Sequence, residues 1–449
     1  MREAGGLRIA DSGRGGQDGR TMRYAPINKE LFRLNRDNLR KLLPPHSLAA
    51  VNANDVLPLN GDAVLPLQQN SDLFYLTGIE QEESLLLLCP DAPEPKHREI
   101  LFLRQPNPLL ETWEGHKLTK EEARDIAGVG RVEWLGDFPA LFHRLMCECA
   151  QVYLNSNENQ RAQVVVQSRD ARFIKEVQER YPLHDYRRLA PLLRRLRAVK
   201  SEIEIALLRR ACDITEAGFR RVCRLVKPGV NEMEAEAEFS REFLRRGGRF
   251  AYTPIIASGL NACALHYSQN DQPCRKGDLL LLDVAASYAN YNADMTRTIP
   301  VSGRFSRRQK QVYNAVLRVL RAASRAAAPG KLPRDWQTEA EQLVEKELVD
   351  LGLLTLAEIQ KQDPDDKALR KYFMHGAGHP LGLDVHDLAP AAGPIQAGWV
   401  LTVEPAIYIR EEGFGVRLEN NILVQEGGNA DLMEHIPIEA DEVEQLMRR

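Results

Sequence analysis

The stretch "GDLLLLD", Gly277–Asp283, closes an apolar run on a carboxylate, and "GWVLTVE", Gly398–Glu404, does the same later in the chain. In both, the acid stands six residues after a glycine. A second carboxylate follows each, Asp294 after 11 residues and Glu419 after 15. A histidine precedes each glycine, His266 by 11 residues and His386 by 12. Three matches in the same order predict two duplicated halves that face each other.

The surrounding pattern agrees. "SEIEIALLRRACDITEAGFRRVCRLV" opens with the capping box Ser201–Glu204, carries apolar residues at helical spacing and stops at Lys227–Gly229. A second helix is predicted over about 231–246, closed by Gly247 and Gly248. Strands follow, then helices over about 306–327 and 335–351, then strands again. That order describes an α+β domain, taken here as 191–449.

Upstream, residues 22–190 read as a smaller α/β domain. "SLAAVNAN", "SLLLLCP", "EILFLR" and "QVYLNSN" are predicted strands, and "KEEARDIA" and "FPALFHRLMCECAQ" predicted helices. No catalytic cluster shows itself there. Residues 1–21, rich in Gly and Arg, are expected to be a disordered tail, with Met22 a possible start.

Composition excludes several roles. A chain of 449 residues with 43% hydrophobic and 27% charged residues is of ordinary globular make-up. A formal net charge of -3 gives no basis for nucleic acid or a membrane surface as the principal partner. The basic stretch "RRLAPLLRRLRAVK", 187–200, reads as an amphipathic connector with a solvated basic face. No apolar run is long enough to span a bilayer, and the N-terminus has no secretory h-region. Seven cysteines without a CxxC pair suit free thiols in a reducing compartment, which points to the cytoplasm. Cys147 and Cys149 are expected to be buried small hydrophobes.

The chemistry gathers around four strand-end acids, Asp283, Asp294, Glu404 and Glu419. Each alone has an ordinary reading: a turn cap for Asp283, a strand-end acid for Glu404, ion pairs with Arg297 for Asp294 and with Arg417 for Glu419. Together those readings would leave the duplication to coincidence. Four buried carboxylates repel one another and raise each other's pKa, and divalent cations relieve that. Carboxylates with a histidine form an oxygen-rich donor set suited to two metal ions. The segment "HGAGHPLGLDVHD", His375–Asp387, supplies histidines. His375 and His379 have the spacing of an H-E-x-x-H zinc helix, but Gly376 replaces the glutamate and Pro380 follows. Gly costs about 1 and Pro about 3 kcal/mol inside a helix, so a glycine-rich loop is predicted instead.

At this point the sequence resembles a family. "LLLLDVAASYANYNADMTRTIPVSG", "HGAGHPLGLDVHD", "LTVEPAIYI" and "GVRLENNI" resemble the motifs of the pita-bread metallopeptidases, and "QQNSDLFYLTGIEQEESLLLL" and "ETWEGHKLT" the N-terminal domain of aminopeptidase P. The resemblance implies a C-terminal pita-bread domain behind a smaller N-terminal domain. It implies Asp283, Asp294, His379, Glu404 and Glu419 as ligands of two divalent ions, with Asp294 and Glu419 bridging. Mn²⁺ is the expected metal, with Zn²⁺, Co²⁺ or Fe²⁺ as alternatives.

The implied activity is that of an Xaa-Pro aminopeptidase, acting on peptides with proline in the second position through a metal-bridging hydroxide. His266 would assist the tetrahedral intermediate, His375 and His386 would line the substrate pocket, Glu404 would also accept a proton, and Arg417 would orient the bridging acids. A homo-oligomer, dimer or tetramer, is implied too, and Trp113 corresponds to a residue that can reach a neighbouring subunit. Prolidase shares all five ligands and is the alternative. A non-catalytic pita-bread binding module or a metal-free creatinase-like hydrolase would be expected to lack the ligands. Two departures stand out: Asn420 and Asn421 where many relatives carry acids, and Pro380 where many carry an aromatic residue.

Overall fold

The structure, a computed structural model, describes residues 23–162, 165–364, 366–390 and 392–448. The expected tail, 1–21, and Met22 lie outside these residues. The N-terminal region builds one six-stranded mixed sheet from β1 (Ser47–Asn52), β2 (Leu85–Leu88), β3 (Glu99–Leu103), β4 (Val132–Trp134), β5 (Gln151–Leu154) and β6 (Asp185–Arg188). Its order is β4-β3-β2-β1-β5-β6. Helices α1 (Glu30–Leu42), α2 (Ser71–Thr77), α3 (Pro108–Glu114), α4 (Lys120–Ala127), α5 (Phe138–Glu148) and α6 (Arg169–Arg180) accompany it, and α7 (Ala190–Ala198) leads out of it. The four predicted strands and two predicted helices are present; β4 and β6 were too short and polar to announce themselves.

From residue 202 the fold repeats itself. Helices α8 (Glu202–Leu225) and α9 (Glu232–Arg245) precede β7 (Arg249–Phe250), β8 (Ile255–Ser258), β9 (Leu279–Asp283), β10 (Ala286–Tyr288), β11 (Tyr291–Asn292) and β12 (Thr296–Pro300). Helices α10 (Arg307–Ala326) and α11 (Pro333–Asp350) precede β13 (Val400–Val403), β14 (Ala406–Ile409), β15 (Phe414–Arg417), β16 (Asn420–Leu423) and β17 (Ala430–Asp431). This is the α+β arrangement of two halves that the duplicated motifs predict, and the pita-bread fold that the family resemblance implies. The capping box is formed, with the Ser201 hydroxyl accepting from the Glu204 amide and the Glu204 carboxylate from the Ser201 amide.

The leucine run of β9 is explained by burial on both faces. Leu280 and Leu282 pack into one apolar core, Leu279 and Leu281 into the other. A strand enclosed on both sides reads as a continuous apolar run rather than an alternation. In the first half β9 pairs antiparallel with β12, Asp283 opposite Thr296. In the second β13 pairs antiparallel with β16, Val403 opposite Asn420. The halves meet where the Glu419 amide donates to the Thr296 carbonyl at 3.0 Å.

Two local expectations need correction. The stretch 187–200 does not simply present a solvated basic face: Arg197 and Lys200 are buried, held by Asp72, Asp384 and Asp387. Buried cations of this kind require such partners, and those lie far away in sequence. Cys147 is exposed, at the outer side of α5, whereas Cys149 is buried as expected. No helix among the described residues is long and apolar enough to cross a membrane.

Candidate active site

Each half delivers its two acids by the same device. Asp283 is the last residue of β9, and Asp294 stands two residues before the antiparallel partner β12. Glu404 follows the last residue of β13, and Glu419 stands one residue before its partner β16. Each strand pair therefore brings its two carboxylates to one end.

The histidine loop is laid against β13. The His379 amide donates to Thr402 Oγ1 at 2.9 Å, the Thr402 amide to the His379 carbonyl at 2.8 Å, and the Glu404 amide to the Ala377 carbonyl at 2.9 Å. A Cβ on Gly378 would sit 2.0 Å from the Thr402 carbonyl oxygen, so only glycine permits the approach. The glycines that rule out a helix thus serve to bring His379 beside Glu404.

His379 turns one ring nitrogen to the backbone and the other to two acids. Its Nδ1 lies 2.9 Å from the Pro380 carbonyl, which can only accept. Nδ1 therefore carries a proton, and Nε2 faces Asp294 Oδ2 at 3.5 Å and Glu404 Oε1 at 3.7 Å. A backbone carbonyl fixing the tautomer is the usual support of a metal-binding imidazole. Donor atoms of Asp294, His379 and Glu419 all lie within 4.8 Å of one another. Glu404 joins this group through His379, and Asp283 lies near enough to Asp294 for that charge to raise its pKa.

The electrostatics fit cations. Burial pushes Glu404 up to about 7, with His379 opposing and Asp294 adding to the rise. Burial also drives Glu419 well above the usual carboxylate range, reinforced by Asp294, Glu404 and Asp283. Asp283 is raised by burial and Asp294, against the pull of Arg417. For His379 burial disfavours the charged form, but Asp294 and Glu404 outweigh it and the net shift is upward. Buried acids that raise one another, beside an imidazole aimed at them, form a donor set that two divalent ions would satisfy.

Arg417 organises the surroundings. Its Nη2 donates to Asp283 Oδ2 at 2.5 Å, its Nη1 to the Tyr408 hydroxyl at 2.6 Å, and its Nε to Thr296 Oγ1 at 3.1 Å. Thr296 in turn donates to Glu419 Oε2 at 2.8 Å, so one guanidinium reaches acids of both halves. Tyr252 donates to the other Asp283 oxygen at 2.6 Å. On the far side of Tyr408 stands His375, with its Nδ1 2.9 Å from the Gly376 carbonyl and its Nε2 2.9 Å from the tyrosine oxygen. Nδ1 must hold the proton there, so the tyrosine hydroxyl donates to Nε2. Burial and Arg417 hold the His375 pKa down at about 4, which keeps the ring neutral.

His386 packs on His379, ring centroids 3.9 Å apart. Arg161 Nη1 lies 3.2 Å from its Nε2, and its buried Nδ1 finds no partner among the described residues. Burial, then His379, hold its pKa at about 3. His266 is exposed beyond the turn Gly259–Cys263, and its electrostatic influence reaches both His375 and His386. A crevice of about 290 Å³ opens beside His379, lined by Trp336, Gln337, Gly378, Pro380 and His386 among others. Pro380 is thus a wall of that crevice.

The structure also brings in residues that the motifs did not single out. Tyr408 and Thr296 carried a faint signal, lying inside "EPAIYI" and "MTRT". Tyr252 and Arg161 carried none, because they belong to distant segments. Trp113, on α3, is exposed.

Comparison with known proteins follows the same division. A family model for metallopeptidase family M24 matches residues 206–426, and one for the aminopeptidase P N-terminal domain matches residues 32–153. An Xaa-Pro aminopeptidase of Haemophilus influenzae is 34% identical over 440 residues, which cover 94% of this chain and 98% of that protein. The zinc-substituted E. coli aminopeptidase P in complex with product is 32% identical, with a TM-score of 0.82 and coverage of 95% and 100%. The same enzyme with the inhibitor Pro-Leu superimposes with a TM-score of 0.81, at 32% identity and coverage of 94% and 99%.

Proposed function

Because the chain belongs to metallopeptidase family M24 and matches Xaa-Pro aminopeptidases along nearly its whole length, we infer that it removes the N-terminal residue from peptides with proline in the second position. It is a metalloexopeptidase. The observation that carries the reading is the convergence of Asp294, His379 and Glu419, with donor atoms within 4.8 Å where the two halves meet.

We assign Asp283, Asp294, His379, Glu404 and Glu419 as the residues that would hold two divalent ions. When bound, the ions lower the pKa of a water molecule and polarise the scissile carbonyl. The remaining work falls to side chains. Glu404 takes a proton from the attacking water. His266, at the exposed rim, donates to the oxygen of the scissile carbonyl as charge develops on it. His386 and His375 line the pocket, His375 as a neutral ring held by Tyr408. Arg417 keeps Asp283 and, through Thr296, Glu419 in position.

The hard carboxylate set favours Mn²⁺. The free thiols suit the cytoplasm, and a homo-oligomer, dimer or tetramer, is proposed, with Trp113 exposed on the outer surface. We divide the chain into residues 22–190 and 191–449. The test is hydrolysis of three peptides by Mn²⁺-loaded and chelator-stripped protein: an Xaa-Pro dipeptide, an Xaa-Pro-Xaa tripeptide and a tripeptide without proline. Metal-dependent cleavage of the proline tripeptide is expected. Cleavage of the dipeptide alone would make the protein a prolidase, and no cleavage of any would overturn the enzymatic reading.

A further inference from the structure

The loop 380–388 that carries His386 has no regular secondary structure, yet it is tied down from behind by buried charge. Arg197, at the end of α7, is 3% exposed. Its Nη2 donates to Asp384 Oδ2 at 2.7 Å and to Asp387 Oδ1 at 2.5 Å, both in that loop. Its Nη1 donates to Asp72 Oδ1 at 2.8 Å, in α2 of the N-terminal region. Lys200 holds the second oxygen of Asp387 at 3.1 Å, and Ser71, also in α2, donates to Asp384 at 2.7 Å.

This cluster is one step from the chemistry. Asp387 adjoins His386, and its amide donates to the Pro380 carbonyl at 2.9 Å. That same carbonyl receives the His379 Nδ1 proton. A Cβ on Gly382 would meet Asp387 Oδ2 at 2.1 Å, so the loop backbone lies directly on the ion cluster. The N-terminal region adds a second hold, with Asn159 donating to the His386 carbonyl at 3.0 Å. A cluster needed only to join two regions could lie anywhere on their interface. This one closes on the residue next to a pocket histidine.

We propose that Arg197 is a positioning residue for the hydrolysis: it fastens the N-terminal region to the 380–388 loop and thereby sets where His386 meets the peptide. The N-terminal region then contributes to turnover through a buried guanidinium remote in sequence from the candidate ligands Asp283 to Glu419. The inference rests on the reading of His386 as a substrate-contacting side chain. Buried pairs are expensive to desolvate and are weak evidence for stability, which leaves geometry as the more informative role to test.

The test is a double-mutant cycle with R197Q and H386A, reading kcat and KM on an Xaa-Pro-Xaa tripeptide, with metal content measured for each variant. R197Q is expected to lower kcat/KM by about 10-fold or more at wild-type metal content, the order seen when a supporting hydrogen bond is lost. In the H386A background the same change should cost less than about 2-fold, because the residue it positions is gone. R197K should recover part of the loss. An undiminished R197Q penalty in H386A would overturn the inference and leave the reading of His386 standing. A fully active H386A would overturn that reading, and the inference with it. Should R197Q fail to fold, D384N removes one bond from Arg197 at a partly exposed carboxylate. A loss of about 3-fold that vanishes in H386A is then expected, and wild-type kcat/KM in D384N would contradict the proposal.

Discussion

Asn421 holds the backbone of Asp294 at both ends. Its Oδ1 accepts from the Asp294 amide at 3.1 Å, and its Nδ2 donates to the Asp294 carbonyl at 2.6 Å. A carboxamide does both at once, whereas an ionised carboxylate of the same shape only accepts. The residue lies on β16 of the second half and Asp294 just before β12 of the first, so this pair also locks the halves together.

Asn421→Asp should therefore be damaging although nearly isosteric. The carboxylate cannot donate to the Asp294 carbonyl, and it adds a charge beside acids that already raise one another. Apparent metal affinity should fall about 10-fold or more, as for other lost supporting contacts. Calorimetric metal titration checks this; unchanged affinity would remove Asn421 from the site's support.

Asp294→Asn should lose metal and turnover yet stabilise the stripped protein. Asp294 is the largest charged neighbour holding Glu419 up, so neutralising it relieves buried repulsion. Metal-free D294N is expected to melt higher than metal-free wild type at pH 8, and to gain nothing from added Mn²⁺. A lower melting temperature than stripped wild type would contradict the repulsion account.

The pH dependence of the stripped protein has a definite sign. Glu404 sits at about 7 in the folded protein, against about 4.3 for an unperturbed glutamate. A raised carboxyl pKa means that the folded state binds the proton more tightly. Its stabilising effect is present below about 4.3 and is lost as pH rises through about 7. Metal-free E404Q, which stays neutral as the protonated acid does, should therefore become increasingly more stable than metal-free wild type across that window. Denaturant titrations at pH 4.5, 6 and 8 measure it, and an E404Q advantage that stays flat or narrows as pH rises would refute the shift. Bound metal competes with these protons, so stabilisation by Mn²⁺ should increase over the same range.

His266→Ala should separate catalysis from metal binding. His266 is exposed, outside the group formed by Asp294, His379 and Glu419. Metal content should stay at the wild-type level while kcat falls about 100-fold, the scale for losing a positioned transition-state donor. By contrast, His379→Ala should lose metal. Equal metal loss in both variants would collapse the distinction.

The repeat was legible because it is written in strand-end acids that local sequence shows directly. "LLLLD" and "VLTVE" each end where a doubly buried strand meets the site, and burial on both faces is what makes the run apolar. The glycines around His379 correctly argued against a helix. Their positive reason, the contact of Gly378 with Thr402, needs β13 and is invisible locally. The burial of Arg197 is invisible locally for the same reason: its partners Asp72, Asp384 and Asp387 come from segments on either side of it, far off in sequence. Tyr252 and Arg161 reach the centre through folding alone. Sequence marks residues whose neighbours are close along the chain and is silent about those whose neighbours come from packing.

Turnover, on this reading, depends on two ions held between the halves. The most direct measurement adds Mn²⁺ back to stripped protein while following tripeptide hydrolysis and the metal bound per chain. Activity should rise until two equivalents are bound and stop there. Full activity in the stripped protein, or a plateau at one equivalent, would contradict the account.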